Sequence, residues 1–375
     1  MPLKRNWWIC AAVLAVSILG IALRARTLAA LTPQDLCGSD FPIFYAGGKL
    51  VGTPDLYSAG AVRSIAIKEV GCLQPPSLFV RLPYFAALMA PWSRLPFWPA
   101  FWLWRGALLA AAGIFIWLWP APREWSLLAC AWSLPFAFGL TVGQDSAFLL
   151  LWLAAALTLL KRDRQFAAGL VLSLCLAKFH LFLLLPLLLP GRRKMAWGGI
   201  LGGLLLLAAG FAVQGPRWFP QFLGAINDHS INPDPSEFFN LWGIAHGNTT
   251  VEILLAIPVV IATVYVTRRA DLMLGLSAVL VAGLLISHHQ TTSDMVLLIP
   301  VALTLAFHPL ARYSRVLAIY LASPLAYALT TAPLAWELPR LLLLALIGVL
   351  AWETRPASLA APRSTILARQ PGPTV

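Results

Sequence analysis

Unbroken apolar runs, such as Phe97–Trp119 and Met195–Val213, constrain this chain more than any other feature it carries. Runs of about twenty residues, at about 1.5 Å of helical rise each, span a hydrocarbon core of roughly 30 Å. They are continuous and do not alternate, which excludes a lipid-spanning β-barrel. A helix satisfies all its backbone hydrogen bonds within one segment and so is the remaining solution in lipid. Composition agrees: only 11% of the 375 residues are charged and 59% are hydrophobic, where a soluble domain carries about a quarter charged residues. The reading is an all-α polytopic membrane protein.

The formal charge of +12 raises the question of a nucleic-acid partner. The basic residues, however, fall in short clusters between apolar runs, as the positive-inside rule expects, and no basic stretch interleaves with aromatics. Nucleic acid is therefore excluded. Lys161-Arg-Asp-Arg164, Gly191-Arg-Arg-Lys194, Arg268-Arg269, Arg312 and Arg315 are assigned to the cytoplasm. The N-terminal segment is read as an uncleaved first helix that starts inside. Counting outward from these anchors predicts about 10–12 membrane segments. Both termini are then cytoplasmic, residues 1–352 form one transmembrane domain, and 353–375 form a disordered tail. Loops 31–81 and 214–248 face outward. Residues 82–96, interrupted by Pro83, Pro91 and Pro96, lie along the outer interface. Phe166–Pro190 has basic clusters on both flanks, so it enters the membrane and returns, turning near Lys178–His180. On this topology Asp35, Asp40, Asp55, Glu69, Asp145, Asp228 and Asp294 all lie outward, while Glu124, Asp163, Asp271 and Glu353 lie inside. Polar chemistry collects on one face.

Within the first loop, Asp40 opens a short amphipathic run (Phe41, Phe44, Tyr45) that ends at Gly47-Gly48. A carboxylate there can serve as a base, and it can equally cap the helix that starts at Phe41. Lys178 sits between two apolar arms, where an ionisable group is costly and a functional role is the default expectation. Arg105 lies about 12 Å into a membrane helix, where it either binds a phosphate or snorkels outward. Gln144 and Asp145 interrupt two apolar runs, and His180, His289 and Asp294 are further polar groups toward the outer side. His288, His289 and Asp294 show no fixed metal-ligand spacing, so no metal is expected. Cys10, Cys130 and Cys175 fall in apolar helices as small fillers, whereas Cys37 and Cys72 share the outer loop and are expected to form a disulfide.

The ordered set Asp40-Phe-Pro-Ile-Phe-Tyr-Ala, Gly52-Thr-Pro-Asp-Leu-Tyr57, Pro75-Pro-Ser-Leu-Phe79, Ala90-Pro91, Gly143-Gln144, Ala168-Gly169 leading to Lys178, then His289 and Asp294-Met-Val-Leu-Leu resembles glycosyltransferase family 87. The resemblance runs from about residue 35 to about 305. It departs from the family pattern at Gln74, Ser146 and Phe179-His180. It implies a GT-C-like bundle whose outer first loop carries short amphipathic helices. The implied reaction is inverting transfer of a hexose, mannose above all, from a polyprenyl-phosphate sugar to a lipid-linked or glycan acceptor at the outer face of the plasma (inner) membrane. Asp40 would be the base, and Lys178 and Arg105 would hold the donor phosphate. Tyr45, Gln144, Asp145, His180, His289 and Asp294 would contact substrate. The lipid-linked donor is a co-substrate, and no cofactor is expected. The alternative is a flippase of lipid-linked sugars. Transporters place polar groups at the midplane of internally repeated helices, and neither feature is visible here.

Overall fold

The computed structural model describes residues 7–29, 31–37, 39–72, 78–228, 234–328 and 337–355. Among these residues all regular structure is helical. The α-helices of nine or more residues run α1 (Trp7–Ala29), α2 (Asp40–Leu50), α3 (Pro83–Ser93), α4 (Phe97–Leu118), α5 (Arg123–Trp132), α6 (Leu134–Val142), α7 (Ser146–Lys161) and α8 (Gln165–Ser173). They continue as α9 (Arg193–Gln214), α10 (Trp218–Ile226), α11 (Thr249–Arg269), α12 (Leu272–Ile286), α13 (Leu298–Phe307), α14 (Tyr313–Ala322) and α15 (Glu337–Glu353). Residues 356–375, which include most of the expected tail, and the Pro75-Pro76 pair lie outside the described residues.

This is an all-α polytopic membrane protein, and its apolar segments fall into two length classes. Among the described residues five helices are long and apolar enough to cross: Trp7–Arg26, Phe97–Leu118, Gln165–Phe182, Arg193–Gln214 and Thr249–Arg269. A sixth results if α5 and α6, bent by 64° at Ser133, count as one span. The other apolar runs make helices of 10–17 residues. Polar breaks shorten them: Gly143, at φ +72°, ends α6 just before Gln144 and Asp145, and Ser287 ends α12 before the histidines. These breaks are the residues that converge on the site.

α1 sits at the periphery with most of its apolar surface uncovered. Trp132 fastens it by donating its indole N–H to the Val16 carbonyl at 3.0 Å, and Arg24 does so by donating to Ser133 O at 2.7 Å. Residues 82–96, expected along the interface, form α3, which packs tightly against α2. A Cβ added to Gly48 would come within 2.7 Å of the Met89 backbone, so only glycine permits that approach. The disulfide Cys37–Cys72, with Cα atoms 5.4 Å apart, closes the loop that carries α2.

The predicted re-entry also takes definite form. α8 runs alongside α9 in the same direction, Phe166 against Gly198 and Ser173 against Gly202. A Cβ on Gly169 would lie 2.0 Å from the Met195 carbonyl, the close crossing that small residues allow in membranes. The chain then kinks at Lys178 (φ −126°, ψ 57°) inside the 3-10 segment Leu174–Phe182. It returns along α12 in the opposite sense, Leu181 beside Gly283 and Leu188 beside Gly275. Lys178 is the apex of this excursion, level with the end of α12.

Candidate active site

Asp40 is the first helical residue of α2, and Ser39 holds the N-cap position. The capping role allowed by the sequence is therefore not the one Asp40 plays. Its side chain has no hydrogen-bond or ion-pair partner among the described residues and faces a cavity of about 30 Å3. That cavity is lined on its polar side by Arg81, Gln144, Lys178, His180, His289, Thr291 and Asp294, and on its apolar side by Ile43, Phe44, Leu78 and Val80. Burial pushes the Asp40 carboxyl up to about 6, against the pull of Lys178 and Arg81 and with the help of Asp145 and Asp294.

Behind the cavity lies a charge network that draws on four separate segments. Arg81 closes the first loop and is fixed from two sides. Its carbonyl accepts the Tyr57 hydroxyl at 2.9 Å, and its guanidinium lies 5.4 Å over the Phe44 ring. It donates to Gln144 Oε1 at 3.0 Å and to Asp145 Oδ1 at 3.2 Å. Lys178 lies 3.6 Å from the same Asp145 oxygen and also pairs with Asp294 Oδ1. The second Asp294 oxygen accepts the Thr291 N–H at 2.9 Å and its hydroxyl at 3.1 Å, a capping box that locks the carboxylate in place. Arg81, Lys178, Asp145 and Asp294 are all buried. In such surroundings each charge persists because an opposite one faces it. Two cations thus face two carboxylates, and Asp40 is the third carboxylate, without a cation of its own.

The two cavity histidines extend the polar wall. His180 Nδ1 lies 2.7 Å from the Ser287 hydroxyl, and the His180 and His289 rings are 6.0 Å apart. Burial holds the His289 imidazole down at about 4, so it is neutral at physiological pH. A neutral imidazole can donate or accept a hydrogen bond to a sugar hydroxyl. Among the described residues no group of three or more His, Cys, Asp or Glu side chains is placed to hold a metal ion.

Not every residue singled out in the sequence reaches the cavity. Arg105 does not line it. Its guanidinium donates to Leu140 O at 2.8 Å and Thr141 O at 3.3 Å, satisfying the last carbonyls of α6. With Trp104, whose indole donates to Gly143 O at 2.8 Å, Arg105 holds the turn that presents Gln144 and Asp145. Tyr45 is buried in an aromatic cluster with Phe41 and Phe97, and its hydroxyl donates to Leu95 O at 2.8 Å. Asp145 stands behind the cavity wall, joined to both cations. Arg81 is the residue the sequence reading passed over. Its signal was available, an ionisable group inside the apolar string Leu78-Phe-Val-Arg-Leu-Pro83, the same argument that singled out Lys178.

Fold and site together define a membrane-embedded protein with a charge-lined cavity at one end of a helical bundle. The sequence model of glycosyltransferase family 87 matches residues 79–300. That is more than half of the chain, which belongs to this family and is a membrane glycosyltransferase. The match includes Arg81, Gln144, Asp145, Lys178, His180, His289 and Asp294, and it begins downstream of Asp40. No curated protein and no solved structure matches the chain.

Proposed function

We propose that the chain transfers a hexose, mannose by the likeness of its loop motifs, from a polyprenyl-phosphate sugar to a lipid-linked or glycan acceptor, with inversion and with Asp40 as base. The observation that carries this reading is the unpartnered, half-buried Asp40 carboxylate at the mouth of a cavity backed by Arg81 and Lys178. Asp40 takes the proton of the acceptor hydroxyl as that oxygen attacks the anomeric carbon. The bond from this carbon to the phosphate oxygen breaks, and polyprenyl phosphate leaves with one further negative charge. Arg81 and Lys178 stabilise the charge as it develops. A single displacement suits the carboxylates present. Asp294, the other one on the cavity wall, is engaged by Lys178 and Thr291 and is poorly placed to act as a nucleophile. No cofactor or metal enters this scheme, and the lipid-linked sugar is a co-substrate.

The Asp40 end of the bundle is proposed to face the exterior of the plasma (inner) membrane, with both termini cytoplasmic. The basic clusters at Lys161–Arg164 and Arg192–Lys194 sit at the opposite ends of α7 and α9, as the positive-inside rule requires. The Cys37–Cys72 bridge suits an oxidising compartment. The test is incubation of the purified protein with labelled polyprenyl-phosphate sugars and membrane extract. Label appearing in a glycan or glycolipid supports transfer. Label that only crosses the bilayer of proteoliposomes would overturn the donor and acceptor assignment.

A further inference from the structure

An open groove of about 370 Å3 runs between the Pro54–Ala59 turn and α10, with Tyr57, Ser58, Gln221, Gly224 and Asp228 on its walls. Leu78 lines this groove and also lines the Asp40 cavity, so the two spaces adjoin at that side chain. The wall beside it is held by Tyr57. Tyr57 is tied to the Arg81 carbonyl at 2.9 Å and stands 5.8 Å from the Phe222 ring of α10. The groove walls carry a hydroxyl, a carboxamide and a carboxylate, groups that between them donate to and accept from a polyol. Gln221 donates only a long, exposed 3.3 Å bond to Pro54 O, which a ligand hydroxyl can replace.

We propose that this groove binds the acceptor, a carbohydrate whose reactive hydroxyl reaches past Leu78 to Asp40. The proposal rests on Asp40 as the base and extends that reading to a second subsite. The volume falls within the range of small-ligand sites, about 300–1,000 Å3. The lining argues against the lipid-linked donor. Its described lining holds no basic side chain for a phosphate, while Ser58, Gln221 and Asp228 offer hydrogen-bonding groups to hydroxyls. Donor and acceptor thereby approach Asp40 from different sides, as a displacement at the anomeric carbon requires.

Gly224 makes the proposal testable, because a Cβ built there meets no atom within 4 Å. A tryptophan at this position starts from open space at Cβ and places a bulky ring on the groove wall. Gly106 in α4 is open in the same way but lies away from the groove, so Gly106→Trp is the control. The full chain in nanodiscs is irradiated with diazirine-bearing octyl glycosides of mannose, glucose and galactose, and labelled peptides are mapped by mass spectrometry. The expected result is labelling within Trp218–Asp228 that falls about tenfold in Gly224→Trp, while Gly106→Trp labels as the unaltered chain does. Absence of label from that segment in the unaltered chain, or equal labelling in Gly224→Trp, overturns the proposal. Labelling needs no turnover, so Asp40→Asn should still be labelled. A transfer-competent Asp40→Asn would sink the base assignment and leave the groove standing.

Discussion

Two regions of this molecule bury cations in an apolar bundle, and they solve the problem in different ways. Around Arg340, Nε donates to Phe238 O at 2.8 Å, Nη2 donates to the Ser236 carbonyl, and Glu337 pairs with Nη1 at 2.6 Å. The guanidinium ties α15 to the stretch of loop that carries Phe238 and Phe239, and it does not line the Asp40 cavity. Arg105 follows the same rule with the carbonyls of Leu140 and Thr141. Around Lys178 and Arg81 the partners are carboxylates, the bonds link distant segments, and a polar cavity opens beside them with one more carboxylate on its rim. A buried charge in a membrane protein is thus not by itself a site. The origin of its partners makes the distinction: Arg340 holds nearby carbonyls and the Glu337 of its own helix, whereas Arg81 and Lys178 meet carboxylates from distant segments beside a cavity.

The strongest way to break this comparison is at Asp40. Asp40→Asn keeps the shape and removes the proton acceptor, so kcat should fall about 100- to 10,000-fold while donor binding survives. Turnover near the unaltered rate in a folded Asp40→Asn protein would erase the distinction between the two regions. Lys178→Met comes next. It leaves Asp145 and Asp294 short of a cation and should cost about 3–5 kcal/mol of stability along with activity. Adding Asp294→Asn should restore much of the stability and none of the activity. Arg340→Met strands the carbonyls of Ser236 and Phe238 and should lose on the order of 3 kcal/mol. In the fraction that stays folded, however, kcat should be unchanged. Thermal midpoints read beside single-turnover rates separate the two cases, and an Arg340→Met protein that is stable but slow would place Arg340 in the reaction machinery.

The bundle itself was legible because apolar length alone dictates helices in lipid. The turn at Lys178 was legible because two basic flanks forbid a single crossing. Lys178, His180, His289 and Asp294 stood out as polar interruptions of apolar runs, and the structure brings all four to one cavity. Their pairings were not legible. Lys178 meets Asp294 across 116 residues and Arg81 meets Asp145 across 64, and nothing local encodes which carboxylate faces which cation. The partners of Arg105 were hidden for a related reason. Its depth in α4 is readable, but that the free carbonyls of α6 would lie beside it depends on packing. Hydropathy measures apolar length and does not register that several of these segments are short helices that end inside the bundle at a shared polar site.

The disulfide sharpens the contrast at a smaller scale. Cys37–Cys72 encloses α2 and the base it carries, across a sequence separation of 35. In the chain-entropy model a ring of this size contributes about 3–4 kcal/mol. Reduction should therefore raise hydrogen exchange across Asp40–Leu50 and Ala59–Ile65 and lower activity. Exchange at Phe238–Asn240, held by Arg340 and Gln290, should not change. Equal loosening of both regions would mean that the loop is not an independent unit.

The smallest effect, and the most specific to Asp40, is in the pH dependence. Its carboxyl stands at about 6 in the folded chain against an ordinary value of 3.8, because burial penalises the charge. A base must be ionised, so the rate should fall tenfold per pH unit below about 6, with unit slope. The residual rate of Asp40→Asn should show no such limb. Stability moves the other way. A group whose folded value is raised favours the fold while protonated, and that contribution is lost as pH climbs from about 4 through about 6. Asp40→Asn should therefore have a higher thermal midpoint than the unaltered chain at pH 8 and lose this advantage at pH 4. Arg340→Met offers the contrast, since the stranded carbonyls of Ser236 and Phe238 do not titrate and its dependence on pH runs only through Glu337, the carboxylate that pairs with Arg340. An acid limb near 4, or a midpoint difference for Asp40→Asn that ignores pH, would show that the carboxylate is solvated and that the cavity does not set its charge.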